Sequence, residues 1–177
     1  MATDRILDAA AGLFTSNGVS STTMAQVATA AGCSRATLYN HFSDRRQLEI
    51  AFVHREAIRL SARVGERTAS LSDPAQRIRA AFQATLEEVR SDPRLLAWFS
   101  ATDAGLATEI SADSEVLDAI AAAFAGSVTH SLDTEDLARR ARWVLRLVLS
   151  LLTMPEPDPA EEPRLIDDFV VPALLGS

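Results

Sequence analysis

Between Thr23 and Arg46 the chain gathers side chains that hydrogen-bond well but do no covalent chemistry: Thr23, Ser34, Arg35, Thr37, Tyr39, Asn40, His41, Arg45 and Arg46, with the small Ala36 among them. Hydroxyls and guanidinium groups suit phosphate oxygens, and an arginine, threonine or asparagine in the first turns of a helix reaches base edges in a DNA major groove. Other chemistries lack their residues. The sequence holds no Ser/His/Asp or Cys/His set, no Gly-rich phosphate loop and no grouping at metal-ligand spacing; His54 and His130 stand apart, and His41 pairs with neither. Neither catalysis nor a metal or other cofactor is expected. Cys33 is the single cysteine, which excludes an intramolecular disulfide and reads as a small hydrophobe in a cytoplasmic protein.

Helices must position these residues, because helical periodicity runs from end to end and no stretch alternates like a strand. Ile6, Ala10, Leu13 and Phe14 stripe a first helix ending near Asn17 and Gly18. Met24, Val27, Ala28 and Ala31 stripe a second, with Thr23 and Gln26 spaced as a capping box and Gly32 as its stop. Ser34 caps a third helix carrying Arg35 to His41, and Ser43 caps a fourth running towards Arg63 or Arg67. The spacing makes the second and third a helix-turn-helix, whose second member enters the major groove. Asp73-Pro74 and Asp92-Pro93 each start a further helix. Others are expected from Ser114 to His130 and from Thr134 to Thr153. The proline-rich segment Met154 to Arg164 reads as a loop, after which Ile166, Phe169, Val170, Ala173 and Leu174 share the stripe of a short last helix.

Total charge points away from DNA. The chain has 177 residues, with 17 basic residues, all arginine, against 24 acids, and a net charge of -7. Its distribution is uneven: residues 1–67 hold eight arginines and six acids, net +2, and residues 68–177 hold nine arginines and eighteen acids, net -9. Such asymmetry marks two jobs in one chain. With 47% hydrophobic and 23% charged residues the chain can bury a globular core. Its longest unbroken apolar stretch, Ala119 to Ala125, is far short of the roughly 20 residues that span a bilayer, and the N-terminus lacks the layout of a signal peptide.

The segments Ile6-Leu-Asp-Ala-Ala-Ala-Gly-Leu-Phe14, Gly18, Thr22-Thr-Met-Ala-Gln-Val-Ala28, Ala31-Gly-Cys-Ser34, Thr37-Leu-Tyr-Asn-His-Phe42, Arg45 and Leu48 together resemble the N-terminal domain of the tetracycline-repressor (TetR) family of bacterial transcription regulators. The resemblance covers about residues 5–52. It implies an all-α homodimer, with a helix-turn-helix DNA-binding domain over residues 1–48 and a helical effector-binding and dimerisation domain over residues 49–177, about nine helices in all. It further implies a repressor that binds a palindromic DNA operator and is released by a small molecule. By the same resemblance Thr23 contacts phosphate, Thr37, Tyr39 and His41 lie on the DNA side of the third helix, Arg45 grips the backbone, and Arg35 is a candidate base reader. Ala25 stands where many relatives carry a polar or basic residue.

Beyond residue 67 the resemblance is weak and the pattern itself must be read. In the helix from Thr134 to Thr153, Leu137, Ala141, Val144, Leu145, Val148 and Leu152 form one stripe and Trp143, Leu147 and Leu151 another. A helix apolar around so much of its girth needs burial on two sides. The expectation is a four-helix interface between two copies of the chain, using Ala141, Val144, Leu145, Val148, Leu152, Phe169, Val170 and Ala173, the alternative being a helix buried centrally within one chain. The family resemblance implies an effector cavity, for which Phe82, Leu86, Leu95, Trp98, Phe99, Ile120, Phe124 and Trp143 are the candidate lining, more of them core than pocket, and so apolar a lining admits a hydrophobic or aromatic effector. Arg55, Arg59 and Arg63 form a row that reads as a solvated face. The alternative reading is a TetR-like dimer that senses a ligand or protein and no longer binds DNA specifically.

Overall fold

The computed structural model describes residues 2–129 and 132–176, so His130 lies outside the described residues. Among these, every regular element is helical. The chain divides into two compact units: Met1–Glu56 with Asp92–Ala112, and Ala57–Ser91 with Asp113–Ser177.

In the first unit, α1 (Ala2–Asn17), α2 (Met24–Ala30), α3 (Arg35–His41) and the start of α4 (Arg45–Thr68) are joined by α6 (Pro93–Leu96), a 3-10 turn (Ala97–Phe99) and α7 (Ala104–Ala112). Local chemistry sets the ends. Gly18, at φ 85°, donates its N–H to the Phe14 carbonyl and stops α1 in a left-handed conformation that a side chain would resist. Gly32, at φ 61°, makes the turn between α2 and α3. Asp44, rather than the expected Ser43, opens α4: its Oδ1 accepts from the Gln47 N–H at 2.8 Å. The core is aromatic at its centre. Phe14 meets Phe52 edge-on at 5.3 Å and Trp98 edge-on at 5.4 Å, while Phe52 and Trp98 stack at 5.6 Å. Such pairs add about 0.5–1.5 kcal/mol each beyond the area they bury.

The second unit holds the rest of α4, α5 (Pro74–Ser91), α8 (Glu115–Val128), α9 (Thr134–Thr153) and a C-terminal helix built from α10 (Glu161–Leu165), a π-helical turn (Ile166–Val170) and α11 (Val171–Leu175). Caps fall where local sequence places them: Asp73 accepts from Gln76, Ser114 from Leu117 and Asp133 from Asp136. Arg90 holds Glu162 at 2.6 Å and the Leu151 carbonyl at 3.1 Å, and Arg140 holds the Ala173 carbonyl at 2.7 Å. These tethers lay the C-terminal helix antiparallel along α9.

Three expectations change here. The proline-rich loop ends earlier than expected, because Pro163 sits in the first turn of α10, where no N–H is needed. The last stripe is also altered. Pro172 has no N–H to give the preceding turn, which widens to π geometry and rotates Phe169 out to 56% exposure, while Ile166, Val170 and Leu174 stay buried. Finally, the row of Arg55, Arg59 and Arg63 is a solvated face only in part, with Arg59 exposed. Arg55 lies within 2.9 Å of Asp8 and Glu56, and Arg63 donates to Glu88 at 2.7 Å.

Candidate nucleic-acid interface

Leu38 is the one fully buried residue of α3; Arg35, Ala36, Thr37, Tyr39, Asn40 and His41 are all exposed, as is the cap Ser34. A single anchor thus holds the helix to the core and leaves the rest of its surface outward. Its first turn is fixed by Ser34, whose Oγ accepts from the Thr37 N–H at 3.0 Å and shares a hydrogen bond with the Thr37 hydroxyl at 2.9 Å. Arg35 makes no ion pair among the described residues, and Tyr39 is 49% exposed. His41 Nδ1 lies 3.3 Å from the Thr3 hydroxyl, which ties the end of α3 to α1.

Thr23 forms the expected capping box: its Oγ1 accepts from the Gln26 N–H, and Gln26 Oε1 accepts from the Thr23 N–H at 2.8 Å. The two downstream arginines are occupied within the unit. Arg45 donates from Nε to Glu49 at 2.6 Å, from Nη1 to the Ser20 carbonyl at 2.9 Å and from Nη2 to the Val19 carbonyl at 2.8 Å. Arg46 pairs with Glu109 at 2.9 Å. Of the expected backbone clamp, Arg45 therefore works as a staple of the α1–α2 turn.

The sequence reading missed the partner of that staple. Asp103, buried ahead of α7, accepts the Val19 N–H at 3.1 Å, the Ser20 N–H at 2.9 Å and the Ser20 hydroxyl. Burial pushes its carboxyl pKa up, but the bonds from Ser20, Val19 and Ser100 outweigh it and hold the group below its ordinary value. Carbonyls taken by Arg45 and amides taken by Asp103 fix the turn from both sides. No local signal reveals this, since Ser100 and Asp103 look like an ordinary helix start and the contact spans more than 80 residues.

The eight residues expected to line one cavity are not brought together in one unit. Leu95, Trp98 and Phe99 belong to the first, where Trp98 is 3% exposed within the aromatic core. In the second, Phe82 and Leu86 are buried, Ile120 and Phe124 half-buried, and Trp143 42% exposed. Phe124 packs with Leu60, Val64, Ala81 and Ala84. The expected dimer contacts also divide. Ala141, Leu152 and Val170 are buried within the chain itself, Val144, Leu145, Val148 and Ala173 are half-buried, and Phe169 is exposed.

No helix among the described residues is long and apolar enough to cross a membrane. The family model described as bacterial regulatory proteins, tetR family, matches residues 6–51, and that of the bacterial tetracyclin repressor C-terminal domain matches residues 73–172. The HTH-type transcriptional regulator Rv1255c of Mycobacterium tuberculosis is 45% identical over 172 residues, covering 97% of this chain and 85% of its own. Among solved structures, the TetR family repressor AlkX from Dietzia, implicated in biodegradation of n-alkanes, aligns with TM-score 0.74 at 20% identity over 96% of this chain and 93% of its own. Thermus thermophilus FadR, a repressor solved with lauroyl-CoA, aligns with TM-score 0.65 at 23% identity over 98% and 95%. An all-helical chain with an outward-facing second helix in its helix-turn-helix, matched by both family models and by a near full-length relative, belongs to the TetR family of transcriptional regulators, a non-enzymatic class.

Proposed function

We propose that this chain binds a palindromic DNA operator as a cytoplasmic homodimer, represses from it, and is released by a small apolar effector. The observation that carries the proposal is α3: one buried leucine and a solvent-facing row of Arg35, Thr37, Tyr39 and Asn40, rigidly capped by Ser34. Arginine in the first turn reads guanine edges, and two such helices spaced about 34–36 Å apart read adjacent major grooves. For dimerisation the support is Trp143 on α9 and Phe169 in the neighbouring helix, both large, apolar and exposed. An apolar effector is favoured by the cluster of Leu60, Val64, Ala81, Ala84 and Phe124, and by the lauroyl-CoA held by FadR.

Selection of bound sequences from a random duplex pool tests the reading. Enrichment of an inverted repeat is expected, and a pool that stays unenriched overturns it. The alternative of a dimeric sensor without specific DNA binding draws support from Arg45 and Arg46, both held by acids of the same unit. An unenriched pool combined with a dimeric mass would favour it.

A further inference from the structure

Arg77 lies in the first turns of α5, and its Nη1 donates weakly, at 3.4 Å, to the carbonyl of Ser127 near the end of α8. Its Nε is buried and has no hydrogen-bond partner among the described residues. Its companions differ: Arg63, Arg67, Arg79 and Arg90 on α4 and α5 each pair with a carboxylate, whereas among the described residues Arg77 meets a carbonyl alone. Among the described residues the buried Nε–H at the Nε–Nη2 edge of its guanidinium is therefore without an acceptor. That edge is the one a carboxylate grips with two parallel hydrogen bonds, and a buried N–H left unpaired is rare in folded proteins.

The face of α5 that continues from it is hydrocarbon. Ala81 and Ala84 follow Arg77 on the same face of α5, both buried, and Phe124 stands one turn before Ser127 on α8. Leu60 and Val64 from α4 complete the cluster. A guanidinium with a buried, unpaired Nε, one turn ahead of an apolar cluster on the same helix face, fits a molecule with an oxyanion at one end and hydrocarbon behind it. We infer that Arg77 anchors the carboxylate of an apolar acid, whose hydrocarbon part lies against Leu60, Val64, Ala81, Ala84 and Phe124. This deepens the proposal of an apolar effector and rests on it for its regulatory meaning.

Calorimetric titration of the full chain with decanoate and with 2-naphthoate, each beside the neutral alcohol of the same skeleton, tests the anchor. At least one acid should bind the parent tenfold or more tighter than its alcohol. Arg77→Met should weaken that acid by about ten- to a hundredfold, the usual worth of hydrogen bonds to a charged group, and leave the alcohol unchanged. Arg77→Lys keeps a cation beside the Ser127 carbonyl but lacks the fork. It should melt like the parent and still bind the acid more weakly, so it decides the matter if the methionine variant fails to fold. Arg77 is only a cap for α8 if neither acid binds the parent, if acids and alcohols bind alike, or if the variants hold the acid as the parent does. Binding of the same proteins to duplex DNA reports separately on the regulator reading, which fails if the parent recognises no sequence.

Discussion

Asp103 and Arg45 show how much a single side chain can do away from the interface it serves. Each holds the α1–α2 turn, one by its amides and the other by its carbonyls, and α2 follows directly from that turn. Asp103→Asn is expected to destabilise the first unit by about 1.5–3 kcal/mol, the worth of hydrogen bonds to a charged group, measured by denaturant unfolding. The pH dependence has a definite sign. A carboxyl whose pKa is lower in the folded state stabilises above its ordinary value of 3.8, and that contribution disappears as pH falls through the folded value. Acid unfolding of the parent should therefore contain a component below about pH 4, and Asp103→Asn should remove it. Arg45 was legible as a basic residue at a DNA-binding position, but its role as a staple was not. Sequence spacing carries no trace of a carbonyl 25 residues away.

Helix ends were legible because capping is local. Thr23 with Gln26, Ser34, Asp73, Ser114 and the glycines at 18 and 32 all act within a few residues of themselves, so their spacing alone places the boundaries. Ser34→Ala should cost about 1 kcal/mol and fray the first turn of α3, lowering operator affinity more than affinity for random DNA. Competition binding on the two duplexes checks this. The C-terminal helix was less legible, because a 3.6-residue period was applied across a π turn. One proline, Pro172, shifts which side chains face inward and releases Phe169. Segment 92–112 was also hidden. Its capping signals announce helices, but that Trp98 would pack on Phe14 and Phe52 depends on tertiary contacts that no local pattern encodes.

For the whole molecule, the net charge of -7 conceals a division of labour. Several acids after residue 67 answer arginines of the second unit, as Glu88, Glu162 and Asp167 do, and Glu109 answers Arg46 in the first. Specific binding should accordingly depend on base contacts and on pairing of two chains rather than on bulk charge. Phe169→Glu with Trp143→Glu is expected to shift the light-scattering mass from dimer towards monomer without lowering helix content; an unchanged dimer would place the interface elsewhere. The central claim, that α3 reads DNA bases, is tested most directly by titrating the parent and Arg35→Ala against the selected operator and a scrambled duplex of equal length. The account predicts that the parent prefers the operator by about a thousandfold or more and that the variant, with an unchanged melting temperature, loses about five- to a hundredfold of that preference. A parent that binds both duplexes equally, or a variant that discriminates as well as the parent, would contradict it.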